Sequence, residues 1–337
     1  MATMLAGRLN TRTHELTMTE VPVPEPGHGE VRIKVEAAGV CLSDVHLVDG
    51  TLNPLFLPGD EVTLGHEVAG TVEALGPGVV GVTEGQRVLL QAGQEHHDGT
   101  ILTRGVDYDG GWAEYALARQ DTVVPIPDSL PFDQACIVPD AVSTPWAAVT
   151  ATAATEPGEA VGVWGLGGLG THGVQLLRLV GAAPIIAVDP VAAARDRALE
   201  FGADVALDPT APDFADAVRA ATGGLGLSVA FDFAGAAPVR EQALAALGAR
   251  GRLVLVGLAG TPVTIPNDTV FTYFQQRVLG SYGSEPQHVV RLVHLAAHGR
   301  LDLSRSITEV LPLADAPRAV ERLQRKEGNP IRLVLKP

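Results

Sequence analysis

The sequence predicts an α/β protein in which a β-rich region precedes a parallel sheet covered by helices on both faces. Up to about residue 90, short segments rich in β-branched residues alternate with Gly and Pro clusters, a pattern typical of strands joined by turns. After about Ala147, apolar strands alternate with helical segments, which indicates βαβ units. The 337 residues suffice for two domains, and 46% of them are hydrophobic, enough to fill two cores.

The elements follow in chain order. In the β-rich region we predict strands at Val31–Val35, Val68–Val72 and Arg87–Leu90. In the alternating region we predict strands at Val161–Trp164, Pro184–Val188, Val205–Leu207, Ser228–Phe233 and Arg252–Val256. The helices between them are expected at Thr171–Val180, Ala192–Phe201, Phe214–Ala221 and Val239–Leu247. Two amphipathic helices and a last strand are expected at Val289–His298, Asp315–Lys326 and Ile331–Leu335.

Charge and cysteine content limit the class of protein. The formal net charge is −15, which disfavours binding to phosphate backbones or to anionic lipid surfaces. The two cysteines, Cys41 and Cys136, do not form a disulfide framework, and this fits a reducing compartment. The first residues lack the apolar core typical of a secretory signal, so we expect a cytoplasmic protein.

A glycine-rich segment follows the first strand of the alternating region. Residues 161–170 are VGVWGLGGLG, with Gly165, Gly167 and Gly170 in the order G-x-G-x-x-G between a strand and a helix. In a dinucleotide-binding turn these glycines permit the tight turn, the approach of the pyrophosphate and close helix–strand packing, while the helix N-terminus attracts the phosphates. Glycine runs also occur in purely structural turns, but here the strand, the helix and a following acid agree.

That acid is Asp189, which ends the next strand. A carboxylate in this place can bind both ribose hydroxyls of NAD and repels the 2′-phosphate of NADP. The next residue is Pro190 rather than a basic residue, and Arg195 further on is interpreted as a solvated charge on a helix. The sequence therefore predicts an NAD site.

The β-rich region contains a thiol and an imidazole that suit a metal. Cys41 begins the segment CLSDVH, and His66 lies in the segment GHEVAG. Thiolate and imidazole are good zinc ligands, and a catalytic zinc takes three protein ligands and keeps one open position. Taken alone, a cysteine such as Cys41 is more often a buried small hydrophobe than a ligand, and His66 could equally be a hydrogen-bonded core histidine.

Together these segments resemble the zinc-dependent alcohol dehydrogenases of the medium-chain dehydrogenase/reductase superfamily, and the resemblance covers essentially the whole chain. Residues 65–79, GHEVAGTVEALGPGV, match the zinc signature of that family, and residues 41–46 match the segment that holds its first ligand. The resemblance implies that Cys41 and His66 bind a catalytic zinc. It also implies that Glu67 lies behind them and can transiently approach the metal.

The third ligand in the family is a Cys or an Asp shortly before a Ser-Thr pair. Asp140 precedes Ser143 and Thr144 at the fitting offset, and Cys136, softer but one turn earlier, is the alternative. We favour Asp140. Thr144 would then pack beside the nicotinamide.

The resemblance also implies roles for neighbouring residues. Asp44 would orient the ligands, and Ser43 and His46 would carry a proton to solvent, although His46 could be a plain surface histidine. The backbone of two segments that follow strand ends, Gly257-Leu258-Ala259 and Gly280-Ser281-Tyr282-Gly283, would meet the nicotinamide amide.

Two further features concern charge and metal content. Arg332 would reach the pyrophosphate, unless it is only a surface strand residue. Many family members hold a second, structural zinc with four closely spaced cysteines, but residues 88–112 contain no cysteine. The lobe Gln91–Gly111 therefore cannot bind such a zinc, and His96 and His97 within it are expected to lie in a solvated loop. We expect one zinc per chain.

The resemblance implies a partly open, GroES-like β-barrel as the catalytic zinc-binding domain, formed by residues 1–144 and 281–337. Residues 145–280 would form an inserted Rossmann domain that binds NAD, with the active site at the carboxyl ends of its parallel strands. We expect hydride transfer between NAD(H) and a small alcohol and its ketone or aldehyde, by a homodimer or homotetramer. The alternatives are a zinc-independent quinone or enoyl reductase of the same superfamily and a non-catalytic cofactor-binding protein.

Overall fold

The computed structural model of the chain describes residues 2–258 and 260–337, which divide into two compact units. Unit 1 runs to Asp140 and resumes over Glu285–Pro337, and unit 2 is the intervening segment Ala141–Ser284. In this part of the chain, no helix has the length and apolar character needed to cross a lipid bilayer. Which unit binds zinc and which binds NAD stays a prediction.

The elements are numbered in chain order. The strands are β1 (Thr3–Asn10), β2 (Glu15–Pro22), β3 (Glu30–Val40), β4 (Glu61–Thr63), β5 (Val68–Leu75), β6 (Arg87–Leu90), β7 (Gly93–Glu95), β8 (Ile101–Thr103), β9 (Tyr115–Arg119), β10 (Val123–Pro125), β11 (Val161–Trp164), β12 (Ile185–Val188), β13 (Val205–Leu207), β14 (Leu227–Asp232), β15 (Leu247–Leu255), β16 (Arg277–Gly280), β17 (Ile307–Pro312) and β18 (Arg332–Lys336). The helices are α1 (Leu42–Val48), α2 (Phe132–Ala135), α3 (Ser143–Ala147), α4 (Gly168–Val180), α5 (Ala192–Glu200), α6 (Phe214–Ala221), α7 (Ala237–Ala245), α8 (Asp268–Tyr273), α9 (Pro286–Ala297) and α10 (Ala316–Gln324).

Unit 1 is built on a mixed sheet of seven strands. Its order is β10-β6-β5-β3-β18-β17, and β9 also pairs with β3. Only β17 and β18 run parallel, while a separate antiparallel sheet has the order β2-β1-β4. In β3, Val31, Ile33 and Val35 are buried between more exposed charged residues, the period of two expected of a half-covered strand. From Ala37 to Val40 every residue is buried, so β3 ends deep in the core.

Unit 2 contains a six-stranded parallel sheet in the order β13-β12-β11-β14-β15-β16. Every residue of β11 and β12 is buried, as a sheet covered on both faces requires. The predicted bounds of β6, β11, β13 and α6 agree with the structure, and those of the other predicted elements are shifted at one or both ends. The α/β prediction, with a β-rich region and a doubly wound parallel sheet, is confirmed.

Several elements were not predicted, among them helices α1 and α8 and strand β16. Helix α1 has seven residues and helix α8 has six, too few for a helical period to be recognised. Strand β16 is a four-residue strand at the edge of the parallel sheet. Edge strands lack the continuous apolar run of a central strand, and here no residue is fully buried.

Candidate active site

The end of β3 places Cys41 in the interior of unit 1. Cys41 follows the buried end of the strand and begins α1, and its backbone N–H donates to Asp44 Oδ2 at 2.8 Å. Asp44 is fully buried, so its carboxylate fixes the turn from strand to helix from within. This turn directs the Cys41 side chain into the core, where the thiol is 5% exposed.

Strand pairing brings His66 and Glu67 to the same place. Both residues directly precede β5, whose first residue Val68 pairs with Ala38 near the end of β3. Gly39 of β3 donates its N–H to the Glu67 carbonyl oxygen at 2.8 Å, which continues the ladder by one step. His66 and Glu67 are both buried.

Asp140 completes a cluster of three potential metal ligands. It lies in a π-helical turn, Val138–Val142, a rare element that is frequent at functional sites. Asp140 Oδ2 is 3.2 Å from Cys41 Sγ and 3.3 Å from His66 Nε2. One ligand atom from each of the three residues lies within 4.8 Å of the others. Sulfur, imidazole nitrogen and carboxylate oxygen are the donors that zinc takes in proteins, so the cluster fits a zinc ion.

Arg332 lies beside this cluster on β18, the strand that pairs with β3. Its Nη2 is 2.8 Å from Glu67 Oε1 and 3.3 Å from Asp140 Oδ2. Burial lowers the pKa of Arg332, but the negative charges of Cys41, Glu67 and Asp140 raise it further, and the net shift is upward. The interpretation of Arg332 as a surface strand residue is wrong, because it is 3% exposed. Its contact with a pyrophosphate stays a prediction.

The electrostatics of His66 show that the cluster favours positive charge. Burial acts to lower the pKa of His66, but the nearby Asp44 and Asp140 carboxylates outweigh it and raise the pKa well above its ordinary value. Asp44 Oδ1 is 3.6 Å from His66 Nδ1, so the two carboxylates lie against opposite ring nitrogens. A site that stabilises an imidazolium in this way also suits a metal cation.

Cys136 lies outside the cluster. Its side chain is fully buried, and its Sγ donates to the carbonyl oxygen of Asp133 at 3.3 Å. Burial raises the pKa of this thiol well above its ordinary value. Cys136 is not among the three residues whose ligand atoms converge, so the structure favours Asp140 over Cys136 as the third potential ligand.

Ser43 and His46, the predicted proton carriers, both lie on α1. Ser43 Oγ is 3.7 Å from Cys41 Sγ, which places the hydroxyl next to the cluster. The His46 side chain is 39% exposed, and its Nδ1 is 3.8 Å from Asp49 Oδ2. Ser43 thus lies next to the ligand cluster, and His46 is in contact with solvent. A proton relay that runs through the two residues stays a prediction.

The lobe Gln91–Gly111 is organised around a buried arginine. Arg104 is fully buried, donates from Nη1 to a carbonyl oxygen of β9 at 2.8 Å, and lies 5.2 Å from the centre of the Tyr108 ring. His96 and His97 are exposed, with His97 Nδ1 3.2 Å from His96 Nε2. Sequence reasoning missed Arg104, because a lone arginine in a loop is usually solvent-exposed.

In unit 2 the glycine-rich turn has the geometry that a pyrophosphate requires. A Cβ atom built on Gly170 would lie 1.8 Å from the carbonyl oxygen of Gly165, so helix and turn are in contact. A Cβ atom on Gly167 would meet nothing within 4 Å, which leaves open space at the N-terminus of α4. The turn is fixed by Asp189, whose Oδ2 accepts the N–H of Leu166 at 2.8 Å. The residues present therefore fit a dinucleotide.

Arg195 is not the solvated charge that was expected. Its Nη1 donates to the Asp189 carbonyl oxygen at 2.7 Å and is 3.2 Å from Asp208 Oδ2. The side chain is 20% exposed. Its α5 neighbour Arg197 donates to the Leu166 carbonyl oxygen at 2.7 Å, so both arginines are engaged around the predicted ribose site.

The remaining predicted cofactor residues lie in α3 and after two strands of unit 2. Thr144 in α3 is buried, and Leu258, just after β15, is 66% exposed. Ser281 follows β16, donates its N–H to Leu255 at 2.9 Å and accepts from Thr152 Oγ1 at 3.0 Å. Ala259 lies outside the described residues.

Comparisons with known proteins identify the family. The family profile described as alcohol dehydrogenase GroES-like domain matches residues 27–128, and that described as zinc-binding dehydrogenase matches residues 168–298. An alcohol dehydrogenase of Geobacillus stearothermophilus is 32% identical over 335 residues, which cover 95% of this chain and 96% of that protein. The chain therefore belongs to the zinc-type medium-chain alcohol dehydrogenase family, as its motifs predicted.

Solved structures extend the likeness to the whole fold. A Sinorhizobium meliloti 1021 protein assigned to the zinc-binding dehydrogenases, solved with NADP bound, has a TM-score of 0.90 at 28% identity and covers 100% of both chains. The 2R,3R-butanediol dehydrogenase of Bacillus subtilis has a TM-score of 0.90 at 25% identity and covers 99% of each chain. The protein is an oxidoreductase of the zinc-binding dehydrogenase family, a class that acts on small-molecule substrates with a nicotinamide cofactor.

Proposed function

We propose that this protein is a zinc-dependent alcohol dehydrogenase that transfers a hydride between NAD(H) and a small alcohol and its ketone or aldehyde. The observation that carries the proposal is the convergence of Cys41, His66 and Asp140, with ligand atoms within 4.8 Å of one another. Cys41 as a thiolate, Asp140 as a carboxylate and the neutral His66 imidazole would hold a zinc ion, and the two anionic side chains would balance its charge. Bound zinc would polarise the substrate oxygen.

Around the ligands, the chain's own residues orient and move protons. Asp44 holds the Cys41 backbone at 2.8 Å and faces the His66 ring at 3.6 Å, so it fixes both ligands. Glu67, paired with a buried arginine at 2.8 Å, lies behind the ligand set. Ser43 takes the alcohol proton, and His46, partly exposed, passes it to solvent.

Unit 2 supplies the cofactor site in this proposal. The turn of Gly165, Gly167 and Gly170 and the N-terminus of α4 hold the pyrophosphate, and Asp189 binds the ribose. Thr144 and the backbone at Leu258 and Ser281 contact the nicotinamide, which accepts the hydride when NAD is bound.

We propose NAD rather than NADP as the preferred cofactor. Asp189 would repel a 2′-phosphate, and both arginines around it are already engaged, Arg195 with Asp208 at 3.2 Å and Arg197 with the Leu166 carbonyl oxygen at 2.7 Å. The Sinorhizobium meliloti relative was solved with NADP, so the preference must be measured on this chain itself.

The test combines metal analysis with turnover. We expect one zinc per chain, and we expect NADH absorbance to change with a panel of primary alcohols, secondary alcohols, vicinal diols and ketones. The diols are included because a structural relative is a butanediol dehydrogenase. Removal of zinc with a chelator should abolish turnover, and Zn²⁺ should restore it. Turnover unaffected by chelation would favour a zinc-independent reductase, and NADH binding without turnover on any substrate would favour a non-catalytic protein.

We also propose that the protein forms a homodimer or homotetramer. Helix α8 has no buried residue among those described, and Tyr273 at its end is 81% exposed. Tyr282, after the neighbouring edge strand β16, is 80% exposed. Exposed apolar surface of this kind is typical of protein–protein contacts. Light scattering should give two or four chains per particle, and a monomer at micromolar concentration would contradict the proposal.

A further inference from the structure

A buried ion pair lies at the carboxyl end of β14, in a part of unit 2 that sequence analysis did not single out. Asp232 ends the strand and is fully buried, and Arg240 on α7 has a side chain that is 6% exposed. Arg240 Nε is 2.9 Å from Asp232 Oδ2. Because the removal of two charges from water is costly, a buried pair of this kind contributes little net stability by itself, and its other hydrogen bonds are what distinguish it.

The pair is bonded to the loops that follow two neighbouring strands. Asp232 Oδ1 accepts the N–H of Ala234 at 2.9 Å and that of Gly235 at 2.8 Å, which sets the shape of the loop after β14. Arg240 Nη2 donates to the carbonyl oxygen of Gly257 at 2.9 Å, just after β15. One ion pair therefore holds both loops.

These loops also touch each other and the glycine-rich turn, backbone against backbone. A Cβ atom built on Gly235 would lie 2.5 Å from the carbonyl oxygen of Leu258. A Cβ atom built on Gly165 would lie 2.8 Å from the backbone nitrogen of Ala234. Because there is no side-chain cushion between them, a displacement of the loop after β14 is passed to the loop after β15, whereas the glycine-rich turn is also fixed by its own hydrogen bond to Asp189 at 2.8 Å.

All three loops follow the carboxyl ends of β11, β14 and β15. The strand order reverses where β11 meets β14, and open parallel sheets bind their ligands in the crevice at such a point. We propose that the Asp232–Arg240 pair is the device that positions the loops around the nicotinamide half of the cofactor, with Arg240 as the positioning residue. The inference rests on the proposed NAD-linked function.

Arg240→Lys tests this inference. Lysine keeps a positive charge beside Asp232, but its single ammonium group lacks the planar fork that also reaches the Gly257 carbonyl. We expect the Kd for NADH, measured by fluorescence titration, to rise about tenfold, the effect of losing one hydrogen bond to a charged group. The Kd for ADP-ribose, which lacks the nicotinamide, should stay within about twofold, because its contacts would be with the glycine-rich turn and Asp189.

Arg252→Lys is the matched control. Arg252 is also buried in unit 2, is 2.6 Å from Glu159 Oε2, and donates to the carbonyl oxygen of Ala153 at 2.6 Å. It pairs with Val229 near the amino end of β14, away from the three loops. We expect this variant to lose stability but to bind NADH and ADP-ribose as the wild type does.

The results of these titrations distinguish a failure of the inference from a failure of the proposed function. Unchanged NADH affinity in Arg240→Lys, an equal loss of ADP-ribose affinity, or the same NADH defect in Arg252→Lys would each overturn the inference. Should Arg240→Lys fail to fold, Gly235→Ala perturbs the same loops with the ion pair intact, and unchanged NADH affinity in that variant would overturn it as well. Wild-type protein that binds neither ligand would contradict the proposed function, and the inference with it.

Discussion

The glycine-rich turn of unit 2 and the ligand cluster of unit 1 are built in opposite ways. The turn and its acid come from one short stretch, Val161–Asp189, in which a strand, a turn, a helix and a second strand follow one another. The cluster takes Cys41, His66 and Asp140 from three distant segments, together with Arg332 from the last strand. Local spacing determines the geometry of the first site, whereas strand pairing determines that of the second.

This difference determines how each site responds to a single substitution. In the turn, each residue has a separate task, so a substitution should change one property of cofactor binding. In the cluster, buried charges depend on one another, so the removal of one partner leaves the others uncompensated in a medium of low dielectric constant.

The largest effect is expected for Arg332→Ala. The substitution leaves Glu67 without the guanidinium that lies 2.8 Å away in the core, and the loss of one partner of a buried pair typically costs about 3–5 kcal/mol. We expect the free energy of unfolding, measured by urea denaturation, to fall by that amount. Arg318→Ala serves as control, because its side chain is 73% exposed and its partner Asp315 is 4.0 Å away. Equal stability of the two variants would contradict the interdependence of the cluster.

A smaller and more specific effect is expected for Asp189→Ala. Loss of the carboxylate removes the repulsion of the 2′-phosphate of NADP, so the ratio of kcat/KM for NAD to that for NADP should fall about tenfold, equal to ~1.4 kcal/mol. Thermal denaturation should show only a modest loss of stability, since the residue is part of a local turn. Wild-type efficiency with NADP equal to or better than that with NAD would refute the role of Asp189.

The smallest effect concerns Glu159 and Arg252, a long-range ion pair of unit 2 that lies away from any proposed ligand. Burial acts to raise the pKa of Glu159, but its hydrogen bonds from Arg252 prevail and lower the pKa below its ordinary value of 4.5. Because the folded-state pKa is the lower one, the pair stabilises the fold above about pH 4.5, and this contribution is lost as the pH falls through the folded-state pKa.

Glu159→Gln should therefore be less stable than wild type by ~1 kcal/mol at pH 6, since the pair is partly exposed to solvent. The difference should shrink as the pH falls below the ordinary pKa. Urea denaturation between pH 3 and pH 6 measures it. A difference that does not depend on pH would show that the glutamate acts through packing rather than through charge.

The same contrast explains what the sequence could predict. Strands such as Val161–Trp164 and the turn after them follow from local patterns, and the structure has them where they were expected. The cluster was reachable only through the resemblance of two short segments to a known family, because no local pattern places Asp140 beside His66. Arg104 and Arg240 were missed because arginine is usually exposed, and no local sequence pattern shows that these two side chains are buried in the folded protein.

The most direct test of the account is the zinc content of two variants, Asp140→Ala and Cys136→Ser, measured by mass spectrometry after dialysis and paired with turnover. The structure has Asp140 Oδ2 3.3 Å from His66 Nε2, whereas Cys136 donates to a backbone carbonyl oxygen outside the cluster. The account predicts that Asp140→Ala loses its zinc or most of its kcat. It predicts that Cys136→Ser keeps one zinc per chain and its activity, with a loss of stability of about 1–3 kcal/mol. Loss of zinc from Cys136→Ser, with metal and turnover retained in Asp140→Ala, would contradict the assignment.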